Sequence, residues 1–331
     1  MRCPSLSDLP APPAGRTGWP WTDSTPLPNA SVMPDGTPWP RISIVTPSYN
    51  QGQFIEETIR SVLLQGYPDL EYSIIDGASK DDSVAVIKKY EPWLSYWVSE
   101  KDGGQAHAIN KGLEHCTGEI FQFLNSDDFL TESALIAVAC QIRDNDCLAG
   151  GVIDIDEEGR QTVLLSRNLT AVNFITRSPN FLYHQPGVWV RTAHVRQLGG
   201  FNAALRYKFD WDLIIRYVER WPRIAYIDRN LAFFRLHSNS KTVSEGEGFW
   251  EEELIARELL VHKLITAKAR AALTRIIRKR HWRLRINELV EHSPTSRRTA
   301  LWNLFRETLQ NPLYRVDRYT LGAAKRIIKN N

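Results

Sequence analysis

Three polar clusters stand directly after apolar runs in the first half of the chain: Thr46-Pro47-Ser48-Tyr49-Asn50, Asp76-Gly77-Ala78-Ser79-Lys80-Asp81 and Asn125-Ser126-Asp127-Asp128. Adjacent carboxylates such as Asp127 and Asp128 repel one another unless a cation or hydrogen-bond donors neutralise them. A cation that takes few protein oxygens and completes its shell on substrate phosphates is typically Mg²⁺ or Mn²⁺. Any one cluster alone reads equally well as a helix cap or turn, because Ser, Asn and Asp are the usual residues there. At the ends of consecutive strands of one sheet, the three together point to one crevice. Neither GxGxxG nor GxxxxGK[ST] occurs, so a nucleotide would be held by side chains and a metal rather than by a glycine-rich phosphate loop.

The elements that must position these clusters are readable from periodicity. Ile42-Ser43-Ile44-Val45-Thr46 is a β-branched run ended by Pro47, and reads as a buried strand. Phe54, Ile55, Ile59, Val62 and Leu63 fall at helical spacing within 53–64. Strands at 72–75, 96–99 and 120–124 alternate with helices at 82–90 and 105–115. That alternation predicts an α/β fold, a doubly wound, mostly parallel sheet with flanking helices, which binds ligands at the carboxyl ends of its strands. Further on, strands are expected at 148–153 and 162–165 around the Asp156–Gly159 turn, then at 188–190, 224–227 and 231–234. A helix is expected over 211–220, and everything beyond Phe249 reads as helix.

On these residues the chain resembles glycosyltransferase family 2, whose fold is GT-A, over roughly residues 41–241. Ile44-Val45-Thr46-Pro47-Ser48-Tyr49-Asn50 is similar to the family's opening strand and nucleotide loop, placing Pro47, Tyr49 and Asn50 at the donor. Ile75-Asp76-Gly77-Ala78-Ser79-Lys80-Asp81 resembles the second motif, and the resemblance implies that Asp76 contacts the base. Many members carry a second Asp where this chain has Gly77. Glu100 to Gly112 resembles the third segment, which implies that Asp102, Gln105 and Asn110 shape the nucleotide pocket. Asn125-Ser126-Asp127 takes the DxD position with its first Asp replaced by Asn. Asp127 is therefore the expected metal ligand, with Asn125 at the ribose, Ser126 beside the substrate and Asp128 in support.

Phe209-Asp210-Trp211-Asp212-Leu213 looks like the family's acceptor-side acidic motif, implying Asp210 as general base and Asp212 as its substitute. Gly199-Gly200-Phe201-Asn202 resembles the GGF turn, and His184-Gln185-Pro186-Gly187 a further acceptor-side segment. Phe234-Arg235-Leu236-His237-Ser238-Asn239-Ser240-Lys241 is similar to a late segment in which His237 completes the metal shell and Lys241 faces the diphosphate. The resemblance implies an inverting, Mn²⁺- or Mg²⁺-dependent transfer from a nucleotide-sugar donor, UDP-sugars first, to a saccharide or lipid-linked acceptor in surface polysaccharide or glycolipid assembly. A non-catalytic nucleotide-sugar-binding protein and a nucleotidyltransferase are the alternatives. The former would not need both Asp127 and Asp210, and the latter would show a Gly- and Lys/Arg-rich loop after the first strand.

The flanking regions differ from this 41–245 domain. Residues 1–40 are rich in Pro and small polar residues, with Trp19, Trp21 and Trp39 among them. Such a segment is expected to be extended or partly disordered, its later part lying on the domain. The 246–331 region reads as a basic helical extension: nine Lys and Arg residues between Lys263 and Arg285 meet no acid and mix with Leu264, Ile265, Leu273, Ile276 and Ile277. Such a helix either docks on an anionic membrane surface or packs on the domain. Nucleic acid is not expected, because no aromatic stacking pattern accompanies the charge and net charge is only +3. Four cysteines without zinc-type spacing, no visible secretory signal and no run of about 18 apolar residues lead to the expectation of a cytoplasmic chain with reduced thiols, peripheral at most on the inner face of the cell membrane.

Overall fold

The computed structural model describes residues 2–28, 31–238, 240, 246–291, 297–311 and 318–329; Lys241 lies outside the described residues. The first half runs β1 (Ile42–Ser48), α1 (Ile55–Leu63), β2 (Leu70–Asp76), α2 (Ser83–Tyr90), β3 (Tyr96–Ser99), α3 (Gln105–His115) and β4 (Ile120–Phe123). Then come β5 (Phe129–Leu130), α4 (Ala134–Ile142), β6 (Cys147–Ile155), β7 (Gln161–Leu165), α5 (Ala171–Thr176), β8 (Val188–Arg191), α6 (Thr192–Gln197), α7 (Phe209–Arg220) and β9 (Ile224–Arg235). Four helices follow: α8 (Gly246–Val261), α9 (Ala267–Glu291), α10 (Arg297–Gln310) and α11 (Arg318–Lys329). Among the described residues no helix is long and apolar enough to cross a membrane.

The strands form one sheet in the order β3-β2-β1-β4-β8-β6-β9-β5, with β7 hydrogen-bonded to β6. β3, β2, β1 and β4 are parallel, and β8 turns antiparallel between β4 and β6. The chain leaves β1 toward β2 on one side and returns to β4 on the other, so the carboxyl ends of β1 and β4 flank the switch point at which such sheets bind ligands. Pro47 does not end the first strand. It sits inside β1 opposite Ile75, and it is tolerated because the pairing with β4 stops at Val45, leaving no ladder bond for the missing N–H. The strands expected at 224–227 and 231–234 are one strand, β9, whose register on β6 slips around Gly151. The polar Asp228-Arg229-Asn230 fills the slip, which is why the apolar pattern breaks there.

β1 is buried on both faces. Val45 packs with Ile109, Leu113, Phe123 and Phe209 on one side; Ile42 and Ile44 pack with Ile59, Val62, Ile87 and Leu135 on the other. The N-terminal segment belongs to the second layer. Cys3 and Leu9 are in that core, Trp19 Nε1 donates to Leu130 O at 2.8 Å, and Thr25 N donates to Leu64 O at 2.9 Å. Its main tie is Arg60, fully buried on α1. The guanidinium donates to the carbonyls of Pro10 at 2.8 Å, Pro20 at 3.0 Å and Trp21 at 2.8 Å. Prolines cannot build a ladder of their own, so these carbonyls need an outside donor.

The basic stretch beyond Lys263 is divided. Leu264, Ala269 and Leu273 are buried in the layer that also holds Val45, and Ile276 and Ile277 pack against it. Apart from Ile265, which is 60% exposed, the apolar residues named in this stretch therefore pack on the domain. A distinct small core begins at Trp282 and Ile286, joined by Ala300 and Leu304 of α10 and Ala323 and Ile327 of α11.

Arg60→Met should cost about 3 kcal/mol, since several buried carbonyls lose their donor together. Urea denaturation would measure the loss, and limited proteolysis should then cut within residues 10–25 first. A variant as stable and as resistant as the parent would refute the clamp.

Candidate active site

The loop after β4 is fixed from three directions. Thr58 Oγ1 of α1 donates to the carbonyls of Ser126 at 2.9 Å and Asp128 at 2.6 Å. Gln105 Nε2, at the start of α3, donates to Asn125 Oδ1 at 2.7 Å. Arg235, at the end of β9, gives its backbone N–H to Asp128 Oδ1 at 3.0 Å and its Nε to Asp127 O at 2.9 Å. Asp128 is fully buried, and burial, followed by the neighbouring Asp127 carboxylate, pushes its pKa well above the usual carboxylate range. Asn125 Nδ2 also donates to it at 3.1 Å. Asp127 turns the other way, its Oδ2 lying 3.1 Å from His237 Nε2.

This pair fits a divalent cation. Two donors bound at right angles to an octahedral ion at 2.0–2.1 Å stand about 3.0 Å apart, close to the observed 3.1 Å. Among the described residues no three His, Cys, Asp or Glu side chains converge on one point. Were a cation held there, Asp127 and His237 would supply two ligands and leave the remaining positions to water and phosphate, as at Mg²⁺- and Mn²⁺-type sites.

The loops after β1, β2 and β3 close against each other beside this pair. Asn50, held at φ 53°, accepts Lys80 N on its Oδ1 at 2.9 Å, and its own N donates to Ser79 Oγ at 2.8 Å. Asp76 accepts Ser79 N at 2.9 Å and Ser99 Oγ at 2.6 Å, so it ties the ends of β2 and β3 together. Gly77 lets two side chains approach closely: a Cβ there would lie 3.0 Å from Asp102 Oδ2 and 3.3 Å from Tyr49 Cδ2. Tyr49 is 61% exposed.

Asp210 opens α7. Its neighbour Phe209 stacks near Phe123 of β4, with centroids 6.0 Å apart, and near Phe201. These rings tie the start of α7 to the strand that carries the acidic loop. The Asp210 carboxyl is raised above its ordinary value by burial, against the Trp211 N–H and the Lys208 charge, which lower it. Tyr183 Oη is 3.5 Å from its Oδ2. Burial also lowers Lys208, to about 8.

The model of the family described as glycosyl transferase family 2 matches residues 43–214. The chain belongs to glycosyltransferase family 2. Family relatives include an uncharacterised glycosyltransferase of Mycobacterium tuberculosis, 38% identical over 103 residues, 31% of this chain and 39% of that protein. The putative teichuronic acid biosynthesis glycosyltransferase TuaG of Bacillus subtilis is 40% identical over 96 residues, 28% of this chain and 38% of its own. Both matches thus span under two fifths of the relatives' length. The fold is that of GT-A structures such as S. aureus TarS in complex with UDP-GlcNAc, with a TM-score of 0.58, 19% identity and 76% of each chain covered. Mannosyltransferase PcManGT from Pyrobaculum calidifontis, in complex with GDP-Man and Mn²⁺, gives a TM-score of 0.56 at 17% identity over 93% of this chain and 90% of that one.

Within this family 2 chain some expected site residues are structural. Asp212 is fully buried, 2.6 Å from Arg216 and 3.4 Å from Lys263, so neither substrate contact nor a substitute base role is open to it. Asn110 spends both ends of its amide on Phe201, donating to its O at 2.7 Å and accepting its N at 2.8 Å. It clamps the GGF turn instead of lining the nucleotide pocket. Gly200, at φ +75°, leaves room for this clamp, since a Cβ would lie 2.6 Å from Asn110 Oδ1. Asp76 is fully buried and holds the ends of β2 and β3 together through Ser79 and Ser99; Asp102 and Tyr49 stand close to Gly77 beside it. Pro47 and Ser126 are buried beside the crevice, acting through the backbone they fix.

Sequence reading passed over Arg235, which braces the acidic loop and pairs with Glu57 at 3.1 Å. It also missed the contact of His184 Nε2 with Asp154 Oδ1 at 2.6 Å. An arginine two residues before the candidate ligand His237 was the available signal for the first.

Manganese at about a hundredfold excess over its dissociation constant should add about 2.7 kcal/mol of stability, a rise of several degrees in Tm. Asp127→Asn should abolish that rise. An equal shift in the variant would place the ion elsewhere.

Proposed function

We propose that this chain moves a sugar from a nucleoside-diphosphate sugar, a UDP-sugar by preference, to a hydroxyl acceptor with inversion at the anomeric carbon. The observation that carries the reading is a carboxylate of raised basicity, Asp210, tied through Phe209 and Phe123 to the strand whose end presents Asp127, which faces His237 at the end of β9. The acceptor oxygen attacks the anomeric carbon as the bond to the diphosphate breaks, and the acceptor proton passes to Asp210. A divalent cation, when bound, screens the charge that gathers on the departing diphosphate. Asp127 and His237 would hold it, and Mn²⁺ takes imidazole more readily than the harder Mg²⁺.

The remaining residues orient the donor. Asp102 and Tyr49 would flank the base over Gly77, and Asn125, fixed by Gln105, would meet the ribose. The UDP-GlcNAc held by TarS and the teichuronic acid assignment of TuaG support a UDP-sugar and a surface polysaccharide or lipid-linked acceptor. The GDP-Man and Mn²⁺ of PcManGT support the cation. This reading places the protein on the cytoplasmic side of the cell membrane, where nucleotide-activated sugars are met.

Asp210→Asn should lower the transfer rate by about 10²- to 10⁴-fold with donor affinity, measured by calorimetry, little changed. Wild-type turnover in that variant would remove the base assignment. The base must be ionised to work, so kcat/KM should fall as pH drops through its raised pKa. The acid limb should therefore lie above the ordinary carboxylate value of about 4. Lys208→Met, which removes a charge that lowers Asp210, should move the limb further up. A limb near 4 in both proteins would contradict this account.

Gly77→Val should force Asp102 and Tyr49 away from their positions and raise the donor KM at least about tenfold. An unaltered donor KM would show that the base lies elsewhere.

A further inference from the structure

Charge is distributed very unevenly along the chain. Residues 263–331 hold 17 of the 41 Lys and Arg residues and four of the 38 acids, so the net charge of +3 hides a strongly basic end on an acidic body. The structure shows which part of that end still has apolar surface to offer. In α10, Ala300 and Leu304 face the small core with Trp282. The opposite stripe carries Trp302, Phe305 and Leu309, which are 61, 51 and 49% exposed. Spacings of three, four and seven residues put these three side chains on one face of a helix. In α11, Ala323 and Ile327 face the core, while Leu321 and Ile328, seven residues apart, are 52 and 55% exposed. Arg298 and Arg306 on α10, and Arg318 and Lys325 on α11, are exposed beside these stripes.

We infer that the outward faces of α10 and α11 form an interfacial anchor that inserts Trp302, Phe305, Leu309, Leu321 and Ile328 into an anionic lipid surface. An amphipathic helix binds there through buried apolar area together with attraction of its cations to lipid phosphates. The aliphatic members set the occupant. Leu309, Leu321 and Ile328 fit acyl chains and give a nucleic acid nothing to stack on. The basic run from Lys263 to Ile277, by contrast, has most of its apolar side on the domain core, with Ile265 alone among its named apolar residues left outside. The anchor deepens the proposed use of a lipid-linked acceptor, but it binds vesicles whether or not transfer occurs, so the two readings fail separately.

The segment leading to the anchor also touches the acceptor side of the site. Glu252 of α8 accepts the backbone N–H groups of Arg206, Tyr207 and Lys208, each at 2.7 Å, just ahead of Asp210. Glu219, near the other end of α7, accepts those of Ile265 and Thr266 at 2.9 Å, at the start of α9. The helix that presents Asp210 is therefore gripped at both ends by the segment that leads into the anchor.

Flotation of the full chain with vesicles tests this. Binding is expected to phosphatidylcholine vesicles containing about a third phosphatidylglycerol and not to phosphatidylcholine alone. Trp302→Ser with Phe305→Ser should weaken it at least about tenfold, and Arg298→Gln with Lys325→Gln should weaken it and reduce its salt sensitivity. Circular dichroism melting would confirm that both double variants fold. Equal flotation of the aromatic variant, equal binding of wild type to neutral vesicles, or loss of a dimer rather than of flotation in the aromatic variant would each overturn the inference.

Discussion

Two carboxyl groups on successive residues at the end of a buried strand cannot both be left to water, and the surrounding structure answers that constraint in two different ways. Asp128 turns inward, where burial and the adjacent charge push its pKa up, and it survives because Arg235 and Asn125 supply donors. Asp127 turns outward to His237, at the separation of two cis ligands. The first arrangement is permanent and holds the loop rigid. The second leaves a carboxylate and an imidazole facing each other, the pair that would receive a cation under the proposed reading. Arg235 connects them, because its backbone serves Asp128 and its side chain serves the carbonyl of Asp127. The end of β9 is thus as necessary to the acidic loop as the strand that precedes it.

Helix α1 extends this logic to the opposite face of the sheet. Its buried polar residues each hold a segment that has no ladder of its own. Thr58 holds the carbonyls of the acidic loop, Arg60 those of the proline-rich N-terminus, and Gln65, just beyond the helix, the carbonyl of Thr131 at 2.8 Å. Irregular backbone packed on a core must find its hydrogen bonds somewhere, and here one helix supplies them in succession. The N-terminal segment is accordingly a layer of the fold.

How much of this was legible follows from where each signal lay. The parallel half and its four loops could be read because β-branched runs alternate with helical spacing and end in Ser, Asn and Asp. Helix α4 could not, since Ala134-Leu135-Ile136-Ala137-Val138-Ala139 is apolar on every side and buried packing leaves no period to detect. Asn110 looked like a pocket residue because its partner, the backbone of Phe201, lies 91 positions away. Asp212 was misjudged although its partner was near: Arg216 stands one helical turn on, the spacing of an ion pair. Arg60 gave no warning at all, because an arginine on an amphipathic helix normally faces water. Sequence pattern registers periodic burial well, whereas it carries little trace of a polar side chain consumed by distant backbone.

The same distinction explains why the C-terminal helices resisted a single reading. Their charge is uniform along the sequence, so composition alone cannot separate a stretch that packs from one that is free to bind. Packing separates them. Leu264 and Leu273 disappear into the layer shared with Val45 and Phe123, and from there the chain is committed to the orientation of α7. Among the described residues beyond Trp282 the core is small, built with Ile286 from Ala300, Leu304, Ala323 and Ile327, and it leaves one face each of α10 and α11 exposed. Apolar residues that such a core cannot enclose must either be tolerated in water or find another apolar phase. With cations beside them, and with Glu252 and Glu219 fixing the path back to Asp210, a lipid surface would meet the protein in one orientation relative to its acceptor side.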